Sequence, residues 1–200
     1  MKNKQAELIK NISDETLLLN VWLTQIIVVI VSLVLGFLLF DNWSSFWQLF
    51  QFNDERILTI GLTAGIAVVL LDFLFMKVLP ASFHDDGGVN ERIFRSISIP
   101  HIILLSLAVA VCEEILFRGI IQSNTNLWIA SLIFALVHYR YLFNLFLFCN
   151  VTLLSLFIGF LFEQTGNLLV TITTHFLIDC LLGIYMNTYR RQLKEDELKE

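Results

Sequence analysis

The sequence contains little charge. Only 16% of its 200 residues are Asp, Glu, Lys or Arg, whereas 56% are hydrophobic, and the mean hydropathy is +0.74. A soluble domain of this size needs far more polar surface to cover itself, so the composition excludes a soluble globular protein. The net charge of −5 and the scattering of the 13 basic residues also argue against a nucleic-acid partner, because phosphate binding requires clustered Lys and Arg.

Cysteine, proline and several protease signatures are scarce or missing. The three cysteines Cys112, Cys149 and Cys180 lie in apolar runs without C-x-x-C spacing, which is typical of small core residues rather than a disulfide or zinc framework. Two prolines and no visible repeat argue against a transporter with inverted repeats and broken helices. The sequence has no H-E-x-x-H, G-x-S-x-G or G-x-G-D pattern, which excludes zincin-type, serine-hydrolase and paired-aspartate designs.

What the sequence does contain is a series of long apolar segments. They are Leu17–Phe40, Ile57–Met76, His101–Gln122, Asn126–His138, Tyr141–Phe162 and Asn167–Asn187. A membrane core of ~30 Å requires about 20 helical residues, so the fourth segment is too short to cross alone and must end inside the protein. The first is too long for a cleavable signal and is expected to remain as an anchor. We predict an all-α fold, a polytopic membrane helical bundle of about six transmembrane helices in one domain, residues 1–200.

Basic residues predict the orientation of this bundle. They flank alternate ends of the segments: Lys2, Lys4, Lys10, Lys77, Arg92, Arg95, Arg140, Arg190, Arg191 and Lys194. The opposite loops contain only Arg56. The positive-inside rule therefore predicts that both termini are cytoplasmic. The long connector 81–100 combines a Gly87-Gly88 turn with Ile93, Phe94 and Ile97, which suggests a short interfacial helix.

Six charged or titratable side chains lie inside the predicted spans, where each costs a few kcal/mol. They are Glu113, Glu114, Arg118, His138, His175 and Asp179. Counted from the outer helix ends at ~1.5 Å per residue, Glu113, His138 and His175 lie about 14, 18 and 12 Å deep. Because three helices place polar groups at a similar level, we expect one polar cluster near the midplane of the membrane.

The spacing of these residues suggests their partners. Glu114 and Arg118 are four residues apart on one helix, so they can form a hydrogen-bonded ion pair. Glu113 is rotated by about 100 degrees and cannot share that pair, which leaves it as a candidate general base toward water. His175 and Asp179 are also four apart, so that the acid can orient the imidazole or both can face one pocket.

Three motifs in this order carry a family resemblance. E-E-x-x-x-R at Glu113, Glu114 and Arg118, F-x-x-x-H at Phe134 and His138, and H-x-x-x-D at His175 and Asp179 resemble the CAAX protease and bacteriocin-processing family of intramembrane proteases, also called CPBP or Abi. The resemblance covers residues 96–187. Residues 1–95, with two spans and a connector, carry no motif, and residues 188–200 form a charged tail.

The resemblance implies an intramembrane endopeptidase that cleaves a membrane-associated protein or peptide. It assigns Glu113 as general base, His138 as the group that holds the water, and Glu114 with Arg118 as a structural ion pair. His175 and Asp179 match positions that resemble an oxyanion hole in the eukaryotic prenyl protease, where the last position is Asn. An ionised Asp cannot donate to an oxyanion, so Asp179 is protonated, orients His175 or ligates a metal.

Several alternatives stay open at this point. A zinc-dependent form of the same protease would use Glu113, His138 and His175 as ligands, although the commitment of Glu114 to Arg118 favours a mechanism without a cofactor. A non-catalytic bacteriocin immunity or scaffold protein of the same family would retain the cluster for packing. We expect a multi-pass protein of a bacterial cell membrane, with membrane lipids and a peptide or membrane-protein substrate as its partners.

Overall fold

A computed structural model describes residues 11–84 and 86–197, with the side chains of residues 81 and 189–197 left out. The described residues form helices and contain no strand. The α-helices are α1 (Asp14–Leu39), α2 (Trp43–Trp47), α3 (Thr63–Val78), α4 (Ala81–His84), α5 (Val89–Ser96), α6 (Ile99–Glu114), α7 (Leu127–Val137), α8 (Leu145–Thr165) and α9 (Leu168–Glu197). A π-helical segment, Ile57–Leu62, leads into α3; a second, Ile115–Gln122, continues α6; and Tyr139–Phe143 is a 3₁₀-helix.

The predicted helical membrane bundle is confirmed. Five helices are long and apolar enough to cross a membrane, and α7 is the shorter apolar helix between them. Polar capping residues, rather than the limits of the apolar runs, determine where some of these helices begin. α1 begins at Asp14 because the Ser13 hydroxyl accepts a hydrogen bond from the Thr16 amide (3.2 Å). Asn144 caps α8 in the same way, so that helix begins after the predicted residue Tyr141.

The charged ends of the chain are described only in part. α9 continues past the predicted span as far as Glu197, so the predicted tail of residues 188–200 is helical over the residues described. Lys2, Lys4 and Lys10, on which the predicted orientation partly depends, lie outside the described residues. The cytoplasmic position of both termini therefore stays a prediction.

Helix α9 is the centre of the bundle and contacts α3, α5, α6 and α8. Its approach to α3 depends on two glycines, Gly61 and Gly65, which have the small-xxx-small spacing typical of membrane helix pairs. A Cβ atom on Gly61 would lie 2.9 Å from the Val170 carbonyl oxygen, and one on Gly65 would lie 2.9 Å from the Leu177 Cβ. The Gly61 carbonyl also accepts a hydrogen bond from the Thr174 hydroxyl (3.1 Å). The two N-terminal spans thus include a packing motif that supports the helix carrying His175.

The loop before α3 is fixed to the first turn of α9 through Asn167, which is fully buried. The Asn167 amide donates to the Gln51 carbonyl and the Asp54 carboxylate, both at 3.0 Å, and its oxygen accepts from the Gln51 and Leu169 amides. Asp54 also forms a salt bridge with Arg56 (2.8 Å). This arrangement holds the predicted outer end of α9 in place.

The predicted interfacial helix is present as α5, but its apolar face packs inside the protein. Ile93 and Ile97 are each 6% exposed and lie in one core cluster with Leu17 of α1. The Asn187 amide of α9 donates to the Phe94 and Ile97 carbonyls (2.7 and 3.0 Å). The connector is therefore a packed part of the bundle, linked to both α1 and α9.

Candidate active site

The centre of the site is the buried carboxylate of Glu114, at the end of α6. It accepts a hydrogen bond from His175 Nδ1 (2.9 Å), and its second oxygen lies 3.4 Å from Arg118 Nε. Glu114 has no exposed surface, and Arg118 is 1% exposed. The carboxylate thus lies between Arg118 of the π-helical segment and His175 of α9.

Arg118 has further partners that the sequence did not indicate. Its Nη2 donates to the Ser155 backbone carbonyl (2.9 Å) and hydroxyl (3.1 Å) on α8, and the guanidinium lies 4.9 Å from the centroid of the Phe134 ring. The Nε and Nη1 atoms are buried and form no hydrogen bond with the described residues. The contact of Arg118 with Glu114 is therefore an ion pair without good hydrogen-bond geometry, and the predicted hydrogen-bonded form of this pair is absent.

We expected the Glu114 carboxylate to be committed to Arg118, but the structure shows that it also binds His175. The four-residue spacing correctly places Glu114 beside Arg118, but a carboxylate has two oxygens and the other one accepts from His175. Thr171, one turn before His175 on α9, also lies beside this carboxylate. Glu114 therefore connects the E-E-x-x-x-R motif to the H-x-x-x-D motif.

His175 and Asp179 lie on one side of α9, as their spacing predicts. His175 Nε2 is 3.6 Å from Asp179 Oδ2, slightly beyond hydrogen-bond distance. Since Nδ1 donates to Glu114, Nε2 is the ring nitrogen left for another group. The Asp179 side chain is 32% exposed and that of His175 is 7% exposed. His175 and Asp179 thus lie between the buried ion pair of Glu114 with Arg118 and the accessible part of the site.

His138 lies at the C-terminal end of α7 and is oriented by its own helix. Its Nδ1 is 2.8 Å from the Phe134 carbonyl oxygen, and the two rings stack with centroids 4.5 Å apart. Because a carbonyl can only accept, Nδ1 carries the hydrogen and Nε2 is free to bind a proton or a water molecule. The F-x-x-x-H spacing thus sets both the ring contact and the tautomer.

Glu113 differs from its neighbour Glu114 in burial and in bonding. Glu113 is only partly buried, and its carboxylate forms no hydrogen bond with the residues that the structure describes. Its charge nevertheless acts on Arg118, His175 and Asp179, and the charge of His138 acts on Asp179. All six predicted site residues therefore belong to one electrostatic cluster, which contains two hydrogen-bonded histidines and two carboxylates, Glu113 and Asp179, without a hydrogen bond to the described residues.

Helix α6 changes to π-helical geometry directly after Glu114, over Ile115–Gln122. π-Helical turns are rare and occur frequently at functional sites. Gln122 at the end of the segment donates from Nε2 to the Gly159 carbonyl of α8 (2.8 Å), so the altered helix is fixed at both ends. The sequence pattern predicted only an ordinary helix here.

The comparisons with known proteins show the family of this chain. Residues 95–181 match the family described as type II CAAX prenyl endopeptidase Rce1-like. Over 176 residues, the chain is also 40% identical to YpbD of Bacillus subtilis, a protein described as uncharacterized, with 88% of this chain and 93% of that protein covered. The chain belongs to the Rce1-like family. No solved structure matches it significantly.

Membership of the Rce1-like family, together with the five long apolar helices, identifies a multi-pass membrane protein of a CAAX-type intramembrane protease family. The matched region runs from the end of α5 to Leu181 and contains all six site residues. The Rce1-like match and the predicted family resemblance thus cover nearly the same part of the chain. The two N-terminal spans lie outside the match, although the relative from B. subtilis is similar over most of the chain.

The structure does not assemble the predicted zinc ligands of this Rce1-like chain into one site. Within residues 11–84 and 86–197, no group of three His, Cys, Asp or Glu side chains is placed to hold a metal ion. Glu113, His138 and His175 belong to the same cluster, and the Nδ1 hydrogen bonds of the two histidines leave Nε2 of each ring as a possible ligand. The metal-free mechanism and the zinc-dependent form therefore both stay predictions.

Two polar contacts of this Rce1-like chain were not predicted from the sequence. Nothing in the sequence distinguished Ser155 from the other two hydroxyl side chains of α8, yet it is the hydrogen-bond partner of buried Arg118. Asp72 of α3 lies beside the Asn150 side chain of α8. Asp72 and Asn150 have no sequence relation that would have predicted this contact.

Proposed function

We propose that the chain is an intramembrane endopeptidase that hydrolyses a peptide bond of a membrane-associated protein or peptide, with water activated by Glu113 and His138. The observation that carries this proposal is the difference between the two adjacent glutamates. Glu114 is fully buried between His175 and Arg118, whereas Glu113 is partly exposed and has no hydrogen bond with the described residues. Of these two glutamates, only Glu113 has a carboxylate available to a water molecule.

The proposed reaction uses groups of the chain itself. Glu113 takes a proton from water while the oxygen attacks the carbonyl carbon of the scissile bond, and His138 Nε2 helps to position that water. The carbon–nitrogen bond of the tetrahedral intermediate then breaks. Glu113 returns the proton to the leaving amine, so the products are a carboxylate and an amine.

His175 is the candidate group for stabilising the oxyanion. Its Nδ1 is committed to Glu114, and when Nε2 is protonated it can donate to a negative oxygen. Glu114 orients the ring through Nδ1, whereas Asp179 lies 3.6 Å from Nε2 and acts on the imidazole through its charge. In this proposal Glu114 is a structural residue that holds both His175 and Arg118 in place.

Mutation of Glu113 tests the proposed function directly. We expect Glu113→Gln to abolish cleavage of a quenched peptide library by the purified protein in detergent while its thermal melt stays unchanged, because Gln preserves shape but cannot accept the proton. Glu163→Gln is the matched control, since Glu163 is an exposed glutamate at the end of α8, and it should cleave normally. Equal cleavage by Glu113→Gln and wild type would refute the assigned role.

A zinc chelator separates the metal-free mechanism from the metal-dependent alternative. We expect wild-type activity to survive a strong chelator. Activity that disappears with the chelator and returns with zinc would make Glu113, His138 and His175 candidate ligands after all. If neither wild type nor the Glu163→Gln control cleaves any peptide, a non-catalytic immunity or scaffold protein would replace the protease proposal.

A further inference from the structure

The imidazole of His138 contacts a second aromatic ring besides Phe134. The Tyr141 ring stacks on it with centroids 6.0 Å apart and an angle of 19° between the planes. His138 itself has φ −84° and ψ 38°, so it ends the regular geometry of α7. Because α7 does not continue past His138, the 3₁₀-helix that contains Tyr141 supplies the packing on this part of the imidazole.

Tyr141 is held from the connector between α3 and α6. Its hydroxyl accepts hydrogen bonds from Arg140 Nη2 (3.0 Å) and from the Asn90 side-chain amide (3.2 Å). The Arg140 guanidinium lies 5.0 Å from the centroid of the Tyr141 ring and also donates to the Asn90 side-chain oxygen (3.0 Å). The ring is thus fixed at its hydroxyl by Asn90, from a distant segment, and at its hydroxyl and over its face by its neighbour Arg140.

Asp86 completes this network at the turn before α5. It accepts from the Val89 and Asn90 backbone amides (3.1 and 3.0 Å) and lies 3.3 Å from Arg140 Nη2. The turn itself requires glycine, since Gly87 and Gly88 have φ values of 81° and 74°. A continuous chain of contacts therefore leads from the connector turn through Tyr141 to the imidazole of His138.

We propose that Tyr141 is a positioning residue for His138, and that Asp86, Asn90 and Arg140 hold Tyr141 in place. This inference deepens the proposed function and rests on the role of His138 in that reaction. The Nδ1 hydrogen bond to Phe134 fixes one atom of the ring, and stacking on Tyr141 limits its rotation about that bond. Nε2 then keeps one direction toward the reacting water, and orientation of this kind contributes strongly to rate.

The position of the imidazole is measurable without any substrate. In the full chain labelled at histidine, stacked aromatic rings shift the carbon-bound imidazole protons upfield in an NMR spectrum, and His138→Gln identifies the His138 signals among the four histidines. We expect Tyr141→Leu to move these signals downfield and Tyr141→Phe to move them less, because Phe keeps the ring and loses only the hydroxyl. Unchanged His138 signals in Tyr141→Leu would overturn the inference.

Activity measurements test whether this position matters. We expect Tyr141→Leu to lower kcat about tenfold to a hundredfold with little change in KM, and Tyr141→Phe to recover most of that loss. Tyr139→Leu is the matched control, since Tyr139 is 57% exposed, and it should match wild type. A shifted His138 signal with unchanged kcat would overturn the positioning role.

The spectrum also keeps this inference separate from the proposed function. If wild type cleaves nothing, the proposed protease activity fails, whereas the signal shift in Tyr141→Leu still decides whether Tyr141 orients the imidazole. Tyr141→Phe guards against misfolding, because its thermal melt should match wild type. A loss of kcat in Tyr141→Phe as large as in Tyr141→Leu, with equal His138 signals in both, would show that the hydroxyl acts in another way and overturn the inference.

Discussion

Replacing Glu114 alone should destabilise the protein more than replacing Glu114 and Arg118 together. In Glu114→Met, the guanidinium of Arg118 stays 1% exposed and keeps its bonds to Ser155, but it loses the only carboxylate within ion-pair distance among the described residues. Removing one partner of a buried pair typically costs about 3–5 kcal/mol, because an uncompensated charge stays buried. We expect a loss of this size in the free energy of unfolding.

The double variant Glu114→Met with Arg118→Met removes both charges. A buried pair replaced by apolar side chains of similar volume is often neutral in stability, although the Ser155 hydroxyl then lacks its partner at a cost of about 1 kcal/mol. We therefore expect the double variant to be about 2–4 kcal/mol more stable than Glu114→Met. It should nevertheless show no cleavage, since His175 has lost the acceptor of its Nδ1 hydrogen bond.

Reversible unfolding in mixed detergent micelles, followed by fluorescence of the four tryptophans, measures these free energies. The pair Glu91 and Arg95 is the control, since it has the same four-residue spacing and a 3.0 Å contact but side chains that are each 31% exposed. Its coupling should be below about 1 kcal/mol. A Glu114→Met variant as stable as wild type, or a double variant no more stable than Glu114→Met, would refute the reasoning.

Three further predictions concern the elements that support the site. Gly61→Val should destabilise the protein by about 1–3 kcal/mol because its side chain would collide with the Val170 carbonyl, while exposed Ala67→Val should change the unfolding midpoint little. Asn167→Ala should expose the loop before α3 to limited proteolysis, because four hydrogen bonds are lost, whereas exposed Asn53→Ala in the same loop should not. Arg56 and Asn167 hold the pKa of the Asp54 carboxyl well below its usual range. The stability that this depressed pKa contributes is present above the unfolded value and is lost as the pH falls toward the folded one, so Tm should fall below about pH 4 in wild type and less in Asp54→Asn.

The sequence alone determined the class of fold and predicted the members of the site. Apolar length decides whether a segment can cross a membrane, so the six segments were predictable, including the shortness of the one that became α7 (Leu127–Val137). The cost of burying charge similarly predicted that Glu113, Glu114, Arg118, His138, His175 and Asp179 belong together. Both inferences depend on local properties of the chain, namely hydropathy and helical spacing.

The tertiary structure decided which of these groups contact one another. Glu113 and Glu114 are adjacent and chemically identical, and helical rotation alone shows only that they point in different directions. His175 is separated from Glu114 by 61 positions, and the contact between them depends on how α9 packs against α6. The contact between Tyr141 and Asn90 likewise joins residues 51 positions apart. Such long-range contacts have no periodic signal in the sequence, because they depend on the relative position of whole helices.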